Sequence, residues 1–97
     1  MAQIIDSGGE WQVSGDITAP YVQALLAESE SLAPKQVIQI DFSLATDVDT
    51  TSISLMLEWI RRANARGGTV AFMNIPESLM SLIKLYEVSS LIQPIKN

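Results

Sequence analysis

The 97-residue sequence predicts an α/β protein in which helices pack on a small mixed sheet. Short segments rich in β-branched and apolar residues alternate with longer segments whose apolar residues recur at helical spacing. Glycines, prolines and capping residues separate the two kinds of segment. The predicted order is β-β-α-β-α-β-α, which corresponds to a sheet of four to five strands with three to four helices. The length fits one domain over residues 1–97.

The first third of the chain predicts a hairpin followed by a helix. Residues 3–6 and 10–14 can pair as strands because two glycines supply the turn between them. Thr18 is expected to be the N-cap of the helix, and Pro20 is tolerated in a first helical turn. Pro34 is expected to end this helix. Its apolar residues share one face: Val22, Leu25, Leu26 and Leu32.

The middle of the chain contains the clearest helix. Residues 37–42 are typical of a buried strand, and a loop is predicted over residues 43–48. The capping residues 49–52 then precede a helix over residues 53–66, which two glycines end. Its core face is predicted from i, i+3, i+4 spacing to comprise Ile53, Met56, Leu57, Ile60 and Ala63.

The last third predicts one more strand and one more helix. Residues 69–73 are expected to lie parallel to residues 37–42, because a helix connects the two strands in a βαβ unit. Pro76 opens the third helix, and residues 91–95 are expected to be a short strand or a tail. The predicted core face of the third helix consists of Leu79, Leu82, Ile83 and Tyr86.

The composition excludes several kinds of chemistry. Cysteine and histidine are both absent, which removes disulfides, thiol catalysis, Ser-His-Asp hydrolysis and Cys/His metal sites. A net charge of −5 argues against binding to nucleic acids or to anionic lipid surfaces, because phosphates require a basic footprint. We therefore expect no metal, no cofactor and no nucleic-acid partner.

The charge also changes sign along the chain. Residues 1–49 carry a net charge of −7 and residues 50–97 a net charge of +2, which directs the search for a site to their junction. The sequence shows no targeting signal, and no apolar run approaches the ~20 residues that span a bilayer. The expectation is a cytoplasmic protein without direct membrane insertion.

Residues 47–51 match Asp-x-Asp-x-Thr, the nucleophile motif of haloacid-dehalogenase-type phosphatases. That motif directly follows an apolar strand, whereas Leu44, Ala45 and Thr46 intervene here. The chain is also too short for the remaining motifs and a cap domain. An enzyme is therefore not expected.

Two features of the central helix invite a functional interpretation. The cluster of residues 49–52 is interpreted either as a helix N-cap alone or, because one capping residue suffices, as also placing a hydroxyl where it can be phosphorylated. Leu55 and Trp59 widen the apolar stripe along one flank of this helix. That flank is interpreted either as packing under the third helix or as a partly exposed aromatic anchor for a partner.

Three stretches together resemble the STAS domain family (sulfate transporter and anti-sigma factor antagonist). They are SGDIT at residues 14–18, VIQIDFS at residues 37–43 and VDTT at residues 48–51, followed by an amphipathic helix that ends in two glycines. The resemblance covers essentially the whole chain. It implies the STAS fold, a small mixed sheet with helices packed on it.

Within this family, LMLEWIR at residues 55–61, FMNIP at residues 72–76 and KLYEV at residues 84–88 are similar to MlaB proteins. That similarity implies a cytoplasmic subunit, peripheral to the inner membrane, of the Mla ABC transporter. The transporter moves phospholipids between the membranes of Gram-negative bacteria and maintains outer-membrane lipid asymmetry. The implied partner is the MlaF-type ATPase, in a complex with the MlaE-type permease.

The family resemblance also assigns roles to single residues. Asp49 matches the acid before the family's phosphoacceptor, Thr50 matches the phosphoacceptor, and Thr51 matches the small residue after it. Ser52 stands where sigma-regulating members have glycine, in Asp-Ser-Ser-Gly, which weakens the case for a kinase switch. The expected ATPase-binding surface comprises Asp49, Thr50, Thr51, Ser52, Leu55 and Trp59.

The alternative function is that of an anti-sigma factor antagonist. A serine-kinase anti-sigma factor would then phosphorylate Thr50, and the added charge beside Asp49 would repel the partner. Both functions act through protein contacts, without catalysis by this chain.

Overall fold

The structure is a computed structural model that describes residues 2–32 and 36–92. The order of its elements confirms the predicted α/β class, with four strands and three helices in the described residues. The elements are β1 Ala2–Ser7, β2 Glu10–Ile17, α1 Ala19–Glu30, β3 Val37–Val48, α2 Thr50–Ala65, β4 Thr69–Met73 and α3 Glu77–Leu85.

The four strands form one sheet in the order β1-β2-β3-β4. The first two strands are antiparallel and confirm the predicted hairpin, with Gly8 and Gly9 at φ +66° and +102° in its turn. The pairs β2–β3 and β3–β4 are both parallel, so the predicted βαβ unit is confirmed and a second one precedes it. Helices α1 and α2 provide the two connections between parallel strands.

The loop predicted over residues 43–48 is wrong, because these residues continue β3. Strand β2 extends to Ile17, three residues beyond its predicted end, and so offers a partner as far as Val48. The register between the two strands shifts near Gly15, which has a φ of +87°. Such a bulge breaks the alternation by which a strand is recognised in a sequence.

The core lies between the helices and one face of the sheet. Ile38 and Ile40 of β3 are buried, whereas Val37 and Gln39, which alternate with them, are exposed, as expected for a strand covered on one side. Helix α2 contacts both α1 and α3, so the three helices form one layer. Residues from every strand and helix contribute to this single cluster of buried side chains.

The expectation that Leu55 and Trp59 are partly exposed is wrong, since they are 0% and 3% exposed. The Trp59 ring lies edge-on to that of Trp11, with 5.7 Å between the centroids. Its indole N–H donates to Ser29 Oγ of α1 at 3.0 Å. Trp59 therefore packs against β2 and α1, and neither side chain is exposed to a partner protein.

The structure also bears on the predicted start and end of α1 and on the segment predicted over residues 91–95. Thr18 is the N-cap residue of α1, but its side chain makes no capping hydrogen bond. Helix α1 ends at Glu30, and Pro34 lies outside the described residues. Leu91 and Ile92 are not in a strand, and the rest of the predicted segment 91–95 also lies outside the described residues.

Helix α2 ends in a Schellman motif, as its two glycines predict. The Gly68 N–H donates to the Ala63 carbonyl at 2.8 Å, and the Gly67 N–H donates to the Asn64 carbonyl at 3.0 Å. Gly67 adopts a φ of +75°, in the left-handed region. The space around Gly67 is open, since an added Cβ would meet no atom within 4 Å.

The Gly67→Ala variant is therefore expected to lose about 1 kcal/mol of unfolding free energy, because only the left-handed backbone penalises a Cβ here. The Gly67→Asn variant is expected to lose less, since asparagine tolerates this conformation better than alanine. Urea denaturation monitored by circular dichroism measures both losses. Equal stability of all three proteins would contradict the assigned helix end.

Candidate partner-binding site at the start of the second helix

Two parallel strands end side by side, and each leads directly into a helix. Ile17 at the end of β2 is paired with Val48 at the end of β3. Helices α1 and α2 therefore begin next to each other, and the Ala19 N–H of α1 donates to Asp49 Oδ2 at 3.1 Å. This edge of a parallel sheet, at the carboxyl ends of its strands, is where α/β proteins commonly bind ligands and partners.

Asp49 is the N-cap of α2, so the helix begins at Thr50, three residues before its predicted start at residue 53. Its carboxylate accepts hydrogen bonds from the Thr51 N–H at 2.9 Å and from the Thr51 hydroxyl, in addition to the bond from Ala19. Burial would by itself raise the pKa of Asp49, but these hydrogen bonds outweigh burial and lower the pKa below its ordinary value. Asp49 is thus an ionised residue that joins two helix starts.

Ser52 completes a capping box with Asp49. Its hydroxyl accepts a hydrogen bond from the Asp49 N–H at 3.2 Å and donates to the Ile17 carbonyl. The side chain is fully buried. Ser52 therefore anchors α2 to the end of β2, and the expectation that it contacts a partner directly is wrong.

Thr50 differs from its three neighbours in the capping cluster. It is the first residue of α2 and is exposed. Within residues 2–32 and 36–92, no hydrogen bond involves its hydroxyl. The capping cluster thus holds the helix end rigid and leaves one hydroxyl free in solvent.

A shallow groove of about 340 Å³ lies beside Thr50 and separates the start of α2 from the chain that follows α3. We call it the Thr50 groove. Tyr86 lies on its far side and is 55% exposed. The groove thus combines free polar atoms with apolar and aromatic surface. It is lined by Thr50, Thr51, Ile53, Ser54, Tyr86 and Val88.

Tyr86 was expected in the core, and that prediction is wrong. Helix α3 ends at Leu85, and the Val88 N–H caps this helix end by donating a hydrogen bond to the Ile83 carbonyl at 3.1 Å. This turn places Glu87 at a φ of +58°. Because such a helix end usually carries glycine, nothing in the local sequence indicates it.

The other polar clusters of the described residues stabilise the fold. The Asp16 carboxylate accepts a hydrogen bond from the Thr46 hydroxyl at 2.8 Å, which lowers the pKa of Asp16. Buried Asp41 accepts a hydrogen bond from Asn74 Nδ2 at 3.0 Å and so connects β3 to the end of β4.

No group of three or more acidic side chains in residues 2–32 and 36–92 is arranged to hold a metal ion. Of the helices in the same ranges, none has the length and apolar character to cross a membrane.

Comparison with known proteins identifies the fold and the family of this chain. The fold is similar to that of the anti-sigma factor antagonist SpoIIAA in its unphosphorylated form, with a TM-score of 0.63 and 14% sequence identity. The similarity covers 88% of this chain and 83% of that protein. No individually curated protein matches the sequence. The family model described as "Mlab, STAS domain" matches residues 4–93, so the chain belongs to the MlaB-like STAS domain family.

Proposed function

We propose that the protein is a non-enzymatic subunit that binds an MlaF-type ABC ATPase through the Thr50 groove. In a complex with the MlaE-type permease, it would stabilise and regulate the ATPase and so support phospholipid transport and outer-membrane lipid asymmetry. The observation that carries this proposal is the free Thr50 hydroxyl on a rigidly capped helix end, beside the exposed ring of Tyr86. Membership of the MlaB-like family supports the choice of partner.

The geometry of the groove suits protein binding. Tyrosine is enriched among the residues that contribute most to interface affinity, and the exposed Tyr86 takes the anchoring role first expected of Trp59. The capping bonds of Asp49 and Ser52 hold Thr50 in place before binding, which reduces the entropy lost on association. If this protein binds the assembled ATPase more tightly than the unassembled ATPase, its binding shifts the ATPase population toward the assembled state.

The hydrogen bonds that the Asp49 carboxylate accepts argue against a catalytic role for the site. Asp49 is the carboxylate nearest to Thr50 in the sequence, but its oxygens are engaged by Thr51 and Ala19. It is therefore not positioned to activate Thr50 as a nucleophile. We propose that Thr50 contacts the partner protein and does not act as a nucleophile.

Binding to the cognate MlaF-type ATPase tests the proposal. We expect Thr50→Asp and Tyr86→Ala each to raise the Kd about tenfold or more, because they alter the centre of the contact. Calorimetric titration of the purified proteins measures this change. The matched control Thr69→Asp introduces the same charge at an exposed position at the other end of the sheet and should leave the Kd unchanged. Wild-type affinity in both groove variants, with the fold intact, would refute this surface.

The free Thr50 hydroxyl also supports the second candidate, an anti-sigma factor antagonist. Phosphorylation would add about two negative charges at this helix start, close to ionised Asp49, and would weaken partner binding by repulsion. Affinity purification from the source cell distinguishes the two functions. Recovery of an ABC ATPase and permease supports the first, whereas recovery of a serine kinase and phosphate on Thr50 supports the second.

A further inference from the structure

A second cavity lies toward the other end of α2, where its lining residues begin at Trp59, nine residues or about 14 Å along the helix from Thr50. Its volume is about 400 Å³, which is within the range of small-molecule sites. The last turns of α1 and α2 surround it, together with the beginnings of β3 and β4. It shares no lining residue with the Thr50 groove.

The walls of this cavity are largely apolar. Both tryptophans of the sequence, Trp11 and Trp59, line it in edge-on contact with each other. Leu32, Ile38 and Val70 complete the apolar surface. Such walls favour an aliphatic or aromatic body in a ligand.

One wall residue carries a buried donor without a partner. The Trp11 side chain is 95% buried, and its indole N–H makes no hydrogen bond in the described part of the chain. The Trp59 indole N–H, in contrast, is satisfied by Ser29. Because the Trp11 N–H is shielded from solvent, the two tryptophans serve in this site as fluorescent reporters rather than as donors to a ligand.

Three arginines and one carboxylate, that of Glu30, line the rim of the cavity. Glu58 pairs with Arg61 at 2.7 Å and with Arg62 at 2.9 Å, and hydrogen bonds from these two arginines lower the pKa of Glu58 to about 2. Arg62 also lies 3.4 Å from Glu30. These two arginines are therefore already neutralised by carboxylates.

Arg66 is different from the other two arginines. Its guanidinium donates to the Arg62 carbonyl at 3.3 Å, and among the described residues it has no carboxylate partner. Arg66 is exposed and lines the cavity. A free guanidinium beside an apolar cavity is suited to a carboxylate or phosphate group.

We propose that this cavity binds an amphipathic organic anion. Its charged head pairs with Arg66, and its apolar body lies in the cavity against the partly buried Leu32 and Val70, beside the tryptophan pair. This site is independent of the Thr50 groove, so ligand binding and partner binding can be tested separately.

Titration with decanoate tests the proposal, and the fluorescence of the two tryptophans reports binding directly. We expect a saturable change in tryptophan emission with decanoate. Decanol lacks the charge and should bind about tenfold more weakly, because it cannot pair with Arg66. Inorganic phosphate lacks the apolar body and should leave the emission unchanged. Equal binding of decanol and decanoate, or no saturation, would overturn the proposal.

Variants localise the effect. Arg66→Gln should weaken decanoate binding about tenfold, and Arg66→Lys should restore part of the loss because it keeps the charge. Thr50→Asp, at the other end of α2, should bind decanoate like the wild type. Wild-type decanoate affinity in Arg66→Gln would refute the assigned site.

Discussion

Replacement of Trp59 by alanine is expected to lower the free energy of unfolding by roughly 3–5 kcal/mol. The indole is 3% exposed, packs edge-on against Trp11 and donates its N–H to Ser29. Its removal leaves a cavity between α2, α1 and β2 and takes one donor from the Ser29 hydroxyl, which still donates to the Leu26 carbonyl. Urea denaturation monitored by circular dichroism measures the loss, since this signal does not depend on tryptophan.

Tyr86→Ala is the matched control, because it truncates an aromatic ring that is 55% exposed. Its stability is expected to stay within about 0.5 kcal/mol of the wild type. A Trp59→Ala protein as stable as the wild type would contradict the assigned core. The comparison also decides how binding data are interpreted: lost ATPase binding reports unfolding in Trp59→Ala and a lost contact in Tyr86→Ala.

Replacement of Asp49 by alanine is expected to cost about 1–2 kcal/mol, at the upper end of the range for a helix N-cap. The carboxylate serves the first turn of α2 and also the Ala19 N–H at the start of α1. Its loss therefore frees the donors of two helices at once. Asp49→Asn keeps an acceptor oxygen and should lose less, and Thr50→Ala, which removes no hydrogen bond of the described residues, should lose least. Equal losses in all three variants would contradict the capping role.

The Asp49 contribution should depend on pH with a defined sign. Hydrogen bonds lower the pKa of Asp49 in the folded protein below the ordinary value of 3.8, although burial opposes this shift. The stabilisation is therefore complete above pH 3.8 and is lost as the pH falls through the folded-state pKa. The stability difference between the wild type and Asp49→Asn should then be constant near neutrality and shrink in acid. A difference that grows in acid would refute this assignment.

Local patterns in the sequence determined much of this protein. Gly8 and Gly9 specified the hairpin turn, and short β-branched segments specified the parallel strands. Gly67 and Gly68 specified the end of α2, whereas the capping residues 49–52 indicated its start to within three residues. Turns and caps depend on residues within a few positions of one another. The family also followed from such short motifs, and the family model confirms it.

Contacts between distant residues decided the rest. Residues 43–48 form a strand because the extended β2 offers them a partner. Leu55 and Trp59 are buried because α1 and β2 cover one flank of α2. Helical spacing predicts how wide the apolar face of α2 is, but it does not predict which elements pack against that face. Tyr86 is exposed because the chain turns at Glu87 in a conformation that its sequence does not favour. The site therefore keeps Thr50 from the sequence and gains Tyr86 from the tertiary structure, since exposure depends on what the rest of the chain covers.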